Sequence, residues 1–369
     1  MGAIEKSILT GNRLFSLDFF RGLTMFLLIA SDTHLFASLT NPVYQGTILY
    51  SIGQQFEHVP WTGLRFYDLI QPFFMFIVGV AIPYSYANRI KRGLTHSQIR
   101  KHVFQRSFLL LLLGWAMPCI DAGEIVFFFQ NVLAQLSVTY LLAFLIMRKS
   151  TSTQIVVSFM LLAITEIIYR GFPIEGFNHP FVANENFGTW LDLQYGGASL
   201  DGHWVSFNAI PTTAHTIWGV LTAQLLMSKR APMRKFKILV IAGLIGLAVG
   251  YALSPITPII KRISTSSFVI VSGGWTILSL AFSYWLIDIK KYKNWTLFFA
   301  IVGMNSLFIY LFAQVGGVGF IRHLIQPFSK ALFGFMEESA ANIWTNLILL
   351  FFLWYLCYWL YKKKIFIKI

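Results

Sequence analysis

The sequence predicts an all-α fold: one integral-membrane domain over residues 1–369, a bundle of about ten transmembrane helices with both termini cytoplasmic. Three observations lead there. Apolar residues make up 56% of the chain and charged residues only 12%, against roughly 25% charged in ordinary soluble domains. Ten apolar runs lie near the ~20 residues that a helix needs to cross a hydrocarbon core about 30 Å thick. Lys and Arg are also unevenly placed, 23 of the 29 on one side of the implied bundle and 6 on the other. Cytoplasmic loops carry such an excess, so the net charge of +14 reads as a topology signal and not as a nucleic-acid surface.

The first run, at 14–36, opens with Asp18 and Arg21 and closes with Asp32 and His34. It is too long for a signal-peptide core and lacks a small-residue cleavage site, so no cleavable leader is expected. The second, 66–88, ends at Arg89, Lys91 and Arg92. The third, 104–120, is short and stops at Met117-Pro118, which marks it as tilted or broken. The fourth, 124–147, returns to Arg148 and Lys149, and the fifth, 154–172, carries Glu166. The sixth and seventh, 209–228 and 236–254, flank a basic turn from Lys229 to Lys237. The eighth, 266–288, precedes Lys290, Lys291 and Lys293. The ninth is 296–315, and the tenth, 342–361, leads into Lys362, Lys363 and Lys364.

Three longer loops, about 37–65, 173–208 and 316–341, then lie outside, rich in Gly, Pro, Asn and aromatics. Long outer loops beside terse cytoplasmic turns point to an external substrate. The stretches Gly243-Leu244-Ile245-Gly246 and Gly316-Gly317-Val318-Gly319 read as helix packing. Cys119 and Cys357 fall inside apolar runs, so neither a disulfide framework nor a cysteine metal cluster is expected.

Ionisable groups at membrane depth are expensive and mark function by default. Asp18 and Arg21 are three apart on one helix face, as a self-paired ion pair or as a cytoplasmic anion site in which Arg21 meets a phosphate. Asp32 follows the apolar run Met25–Ala30 and Ser31, and reads as a cavity carboxylate or a structural cap. The richest stretch is Glu57-His58-Val59-Pro60-Trp61-Thr62-Gly63-Leu64-Arg65-Phe66-Tyr67-Asp68. There His58 precedes the second span, and Asp68 lies one or two turns inside it. A histidine beside a carboxylate equips a site for general acid–base work; the plain alternative is polar loop surface. Glu166 reads as a helix–helix hydrogen bond. No phosphate loop, HExxH or GxSxG motif is present, and His179, His203, His215 and His323 lack metal-ligand spacing.

Taken together, Arg13-Leu14-x-Ser16-Leu17-Asp18-x-Phe20-Arg21-Gly22 and His58-x-Pro60-Trp61-x-Gly63-Leu64-x-x-x-Asp68-Leu69, running on into Pro72-Phe73-Phe74-Met75-Phe76-Ile77-Val78-Gly79, carry a resemblance. So do Arg106-Ser107-Phe108-Leu109-Leu110, Val138-Thr139-Tyr140, Lys261 with Ser267-Phe268-Val269, Gly303-Met304-Asn305-Ser306 with Tyr310, and Lys363-Lys364-Ile365-Phe366-x-Lys368-Ile369. The chain resembles the transmembrane acyltransferases related to heparan-alpha-glucosaminide N-acetyltransferase and their bacterial relatives of the NagX type. The additional luminal region of the lysosomal enzyme has no counterpart ahead of Arg13, which suits a member in the bacterial cytoplasmic (inner) membrane.

The resemblance implies transfer of acetyl from cytosolic acetyl-CoA to an amino sugar or related glycan on the far side of the membrane. It places the family's active-site histidine at His58 and puts Asp32 where the family carries asparagine. Asp32 or Asp68 then orients the imidazole. Arg21, Arg106 and the loop 89–102 are expected to hold the CoA phosphates, and Asn305, Ser306 and Tyr310 to line the donor's passage. Trp61 and Lys261 are expected at the acceptor. Ala134-Gln135 and Ala313-Gln314 replace the family's Gln-Arg and His-Glu, so acceptor identity does not carry over, and direct transfer and an acetyl-histidine intermediate are both open. The implied partners are a small-molecule donor, a glycan or amino-sugar acceptor and the bilayer, with no nucleic acid and no metal. A homodimer is left open. The competing class is a proton-coupled sugar permease using Asp32, Asp68 and Glu166, but the two halves lack the matched Gly/Pro-broken helices of repeat-built transporters.

Overall fold

In lipid a helix satisfies every backbone polar group within its own segment, and helix is what the apolar runs form. The computed structural model describes residues 14–197 and 204–367. Lys6, Arg13, His203, Lys368 and Ile369, which entered the sequence reading, lie outside the described residues. The chain is 75% helical, without strands among the described residues. Seven helices there are long and apolar enough to cross a membrane: Phe66–Lys91, His96–Ala122, Thr151–Gly171, Pro232–Leu253, Ser266–Ile289, Ser306–Phe333 and Glu338–Lys362. The protein is an all-α, polytopic integral membrane protein.

Helix α1 (Phe15–Asp32) leads to two short helices, α2 (Leu35–Leu39) and α3 (Ile48–Gln55), inside the loop 37–65 and its approach. A 3-10 turn at Phe66–Leu69 opens α4 (Ile70–Lys91). Helix α5 (His96–Ala122) is longer than the apolar run at 104–120 implied. Thr95 and Gln98 form a capping box that starts it early, and it runs straight through Pro118. A helical proline leaves the carbonyl four residues back without a donor; here that carbonyl, on Gly114, accepts from Asn131 Nδ2 at 2.7 Å. The same Asn131 caps the next helix, so α6 (Val132–Ile146) begins eight residues later than the run at 124–147.

Helix α7 (Thr151–Gly171) is followed by α8 (Phe187–Gln194) in the loop 173–208, then α9 (Ala209–Met227), α10 (Pro232–Leu253) and α11 (Ser266–Ser283). The ninth run is broken. It forms α12 (Thr296–Met304) and α13 (Ser306–Phe312) on either side of Asn305, at φ −120° and ψ 36°. The stretch 316–341, expected as a loop between two apolar runs, contains α14 (Val318–Phe333), and Gly316 and Gly319, expected to pack a helix, have open space where a Cβ would stand. Gly316 at φ 90° breaks the helical path just before it. Arg322 of α14 donates to the Thr33 carbonyl at 2.7 Å and so caps the end of α1. Helix α15 (Glu338–Lys362) completes the bundle.

Glycines set the closest crossings. A Cβ on Gly79 would strike the Thr216 carbonyl oxygen, and one on Gly219 that of Phe76. Helices α4 and α9 therefore approach backbone to backbone, a small-residue contact suited to lipid. Gly22 meets Phe299 between α1 and α12 in the same way. Gly243, Gly246 and Gly250 face Gly274, Leu278 and Val271, so the small-residue stretch of α10 does pack a helix. Glu166 is likewise a helix–helix tie: it accepts from Arg170 at 2.6 Å, Thr257 at 2.7 Å and Ser266 at 3.1 Å.

Candidate active site

The loop between α3 and α4 is held in place from two directions. Gly63 N–H donates to the Ile259 carbonyl at 2.8 Å, beside an isolated bridge between Thr62 and Ile260. Trp61 Nε1 donates to the Phe181 carbonyl at 2.7 Å. Three loop segments, 57–65, 173–186 and 255–265, are thereby joined, and Lys261 is carried to His58 across 203 residues of chain.

Asp68 is the centre of the result. Its Oδ2 accepts the Arg65 backbone N–H at 3.0 Å. Its Oδ1 lies 2.8 Å from His58 Nδ1 and 3.4 Å from Lys261 Nζ. With Asp68 ionised, an unprotonated Nδ1 would set two acceptors face to face at 2.8 Å. The network thus assigns the ring proton to Nδ1, donating to Asp68, and leaves the Nε2 lone pair unshared by that contact. Lys261 Nζ is also 3.2 Å from Nδ1 and 4.5 Å from the centre of the Trp204 ring. The Trp204 ring stands edge-on to the imidazole at 5.3 Å, and Tyr67 flanks it at 4.8 Å.

Burial separates the roles. The His58 side chain is 37% exposed, while those of Asp68 and Lys261 are 1% and 7% exposed, so the imidazole is the member that an external molecule meets. Burial, followed by the Lys261 charge, holds the His58 pKa below its ordinary 6.5, against the opposing pull of Asp68. Burial pushes the Lys261 ammonium down to about 8, again against Asp68.

A second site lies deeper in the bundle. A cavity of about 390 Å³ is lined by Arg21, Arg89, Arg106, Ser306, Tyr310 and neighbouring apolar side chains of α4, α5 and α6. This falls within the roughly 300–1,000 Å³ of small-molecule sites. Its wall on α4 extends from Phe74 to Arg89, about 22 Å at 1.5 Å per residue. Three arginines, from α1, α4 and α5, line it among apolar side chains. Arg106 lies over the Tyr140 ring at 4.8 Å, and its Nε is buried without a hydrogen-bond partner. A guanidinium nitrogen without a partner, in a cavity that two other arginines also line, suits a phosphate-bearing ligand.

The residues singled out by sequence thus divide. His58, Asp68 and Lys261 meet at one place; Arg21, Arg106, Ser306 and Tyr310 line the other. Asp32 is not the histidine's partner here. It stands near Tyr67 and Tyr310, close enough for its charge to act on both phenols, and Tyr67 is hydrogen-bonded to Ser31. The Asp32 Oδ2 atom is buried without a hydrogen-bond partner. Trp61 is spent on pinning the loop, and Asn305 is absent from the cavity wall because its amide is engaged elsewhere. Trp204, Tyr67 and Tyr140 were missed. Nothing in their flanking sequence sets them apart from the other aromatics of the chain; only Arg89, inside the basic loop 89–102, carried a signal.

No family model matches the chain. Over 105 residues it is 31% identical to heparan-alpha-glucosaminide N-acetyltransferase of Mus musculus, a match covering 28% of this chain and 14% of that protein. The Homo sapiens protein of the same name is 31% identical over 102 residues, 28% of this chain and 13% of its own length. The chain is a distant relative of that N-acetyltransferase. The relationship thus rests on a short part of a much longer curated protein, and the site geometry stands beside it as a separate observation.

Proposed function

We propose that the protein is a transmembrane acetyltransferase that takes acetyl from cytosolic acetyl-CoA and delivers it to an amino sugar or related glycan outside the cell membrane, in the bacterial inner membrane. The observation that carries this reading is the division of one bundle into two chemistries. Arg89 and Asp68 lie 21 residues apart on the α4 segment, roughly 30 Å at 1.5 Å per residue, which is about the thickness of the hydrocarbon core. An anion-binding slot is thus open at one face and a histidine–carboxylate pair at the other.

When bound, acetyl-CoA would supply an acetyl thioester, with Arg21, Arg89 and Arg106 holding its phosphates and the apolar slot its neutral arm. At the outer face, His58 Nε2 takes the proton from the acceptor's amine or hydroxyl as that atom bonds to the acetyl carbon, and returns it to the CoA sulfur as the thioester C–S bond breaks. Asp68 holds the ring in the competent tautomer and stabilises the imidazolium that forms, the division of labour of a Ser-His-Asp triad without its serine. Lys261 lies on the Nδ1 side of the ring, 3.2 Å from Nδ1 and 3.4 Å from Asp68 Oδ1, and its ammonium holds that carboxylate in place. Trp204 and Tyr67 wall the imidazole. Tyr310, Asp32 and Tyr67 bound the short route between the inner end of the slot and His58.

The donor half of the proposal predicts a stability gain. Acetyl-CoA or CoA at about a hundred times its Kd should stabilise the purified protein by about 2.7 kcal/mol. Arg106→Ala should weaken CoA binding at least about tenfold, since hydrogen bonds to charged groups are worth about 1.5–3 kcal/mol. An unchanged melting curve at millimolar CoA would remove the donor from the reading.

The direction of transfer depends on ten spans with both termini cytoplasmic. A cysteine at Arg92 should react with an impermeant thiol reagent only from the cytoplasmic side, and one at Glu175 only from outside. Both side chains are exposed and lie in turns outside the helices that span. Reaction of both from the same side would reverse or dismantle the topology.

A further inference from the structure

The segment that follows α15 turns back onto the bundle. Lys364 adopts φ 59°, and Ile365–Ile367 then run alongside Asn305. The Asn305 side chain donates from Nδ2 to the Ile365 carbonyl at 3.0 Å and accepts the Ile367 N–H on Oδ1 at 3.0 Å. One amide side chain thus pairs with this segment as a neighbouring strand residue would. Asn305 is itself fully buried at the break between α12 and α13, so the helices fix the position of the pairing.

The far side of the segment faces the arginine slot. Ile367 stands in the cavity wall beside Met304 and Ser306. Yet Ile365, Phe366 and Ile367 remain 41%, 39% and 42% exposed. A wall of the cavity is therefore formed by a half-exposed segment that two hydrogen bonds tie to Asn305, while Ile365 N–H also donates to the Leu360 carbonyl at 3.0 Å. Segments with little buried surface open at low free-energy cost.

We propose that Ile365–Ile367 form a latch on the donor cavity and that Asn305 is its catch. Fastened, the segment closes one side of the slot over a bound donor; released, it opens the slot for loading and for departure of CoA. Asn305 is accordingly a positioning residue, acting on the ligand through Ile367. The inference rests on the reading of the cavity as the acyl-CoA site.

The test measures release of radiolabelled CoA from purified protein after an excess of unlabelled CoA is added. Asn305→Ala should accelerate release about tenfold, equivalent to about 1.4 kcal/mol. Asn305→Asp retains the acceptor for Ile367 but loses the donor to Ile365, and should fall between the two. Ile367→Gly should also accelerate release, and it carries the test if the Asn305 variants fail to fold, because it lies outside the helices. The cost should appear in KM for the donor rather than in kcat, and hydrogen exchange of the segment should quicken in Asn305→Ala. Wild-type release rates in both Asn305→Ala and Ile367→Gly, with CoA bound normally by the wild type, overturn the latch and leave the donor reading standing. Absence of CoA binding to the wild type overturns the donor reading, and the latch with it.

Discussion

His58→Ala is expected to lower acetyl transfer by about 10²–10⁴-fold, the usual contribution of a positioned general base, while leaving CoA affinity unchanged. The two outcomes separate because the imidazole lies beyond the N-terminal end of α4, while Arg89 of the slot lies near its C-terminal end. Transfer of labelled acetyl to glucosamine-type acceptors, measured beside equilibrium CoA binding, tests both halves at once. Wild-type turnover in His58→Ala would sink the mechanism. Loss of CoA binding in the same variant would mean that the substitution disturbs the bundle rather than the chemistry.

The second large effect is on pH dependence, and its signs differ between the two buried partners. The imidazole must be neutral to accept a proton, so the rising limb of kcat/KM follows the His58 pKa, held below 6.5 by burial and the Lys261 charge. Loss of the ammonium near its own pKa of about 8 should give the falling limb. Lys261→Met removes a positive neighbour, so the rising limb should move to higher pH and the limb near 8 should vanish. Asp68→Asn removes a negative neighbour and should move the rising limb to lower pH. The amide can also donate to Nδ1 and hold the wrong tautomer, so its activity should fall far more than that of Lys261→Met. Shifts of the same sign in both variants would contradict the assignment of Asp68 and Lys261 to opposing roles around one imidazole.

His58 and Asp68 were visible as a pair because they belong to one twelve-residue stretch. Which carboxylate serves the histidine was not. Asp32 and Asp68 both sit at the outer ends of their helices, and nothing in the one-dimensional pattern ranks them. The 3-10 turn at Phe66–Leu69 decides it, since Arg65 N–H binds Asp68 Oδ2 and turns Oδ1 toward the ring. Lys261 was visible as a residue but not as a neighbour of both, because the contact is made by docking two loops far apart in sequence. Trp204 lies beyond sequence reading for the same reason.

Composition and the spacing of apolar runs determined the class of this protein by themselves. Every residue in a lipid-crossing segment must be apolar or partnered, and every backbone group must be satisfied within it, so the solvent writes its signature along the whole chain. The positions at which helices start, break and turn back were settled only in three dimensions. Asn131 completes the carbonyl that Pro118 leaves open, Arg322 caps α1 from α14, and Asn305 breaks one helix and holds the segment after another. Each is a polar side chain answering a backbone group supplied by a different part of the chain. Such matches depend on which segments the packing brings together.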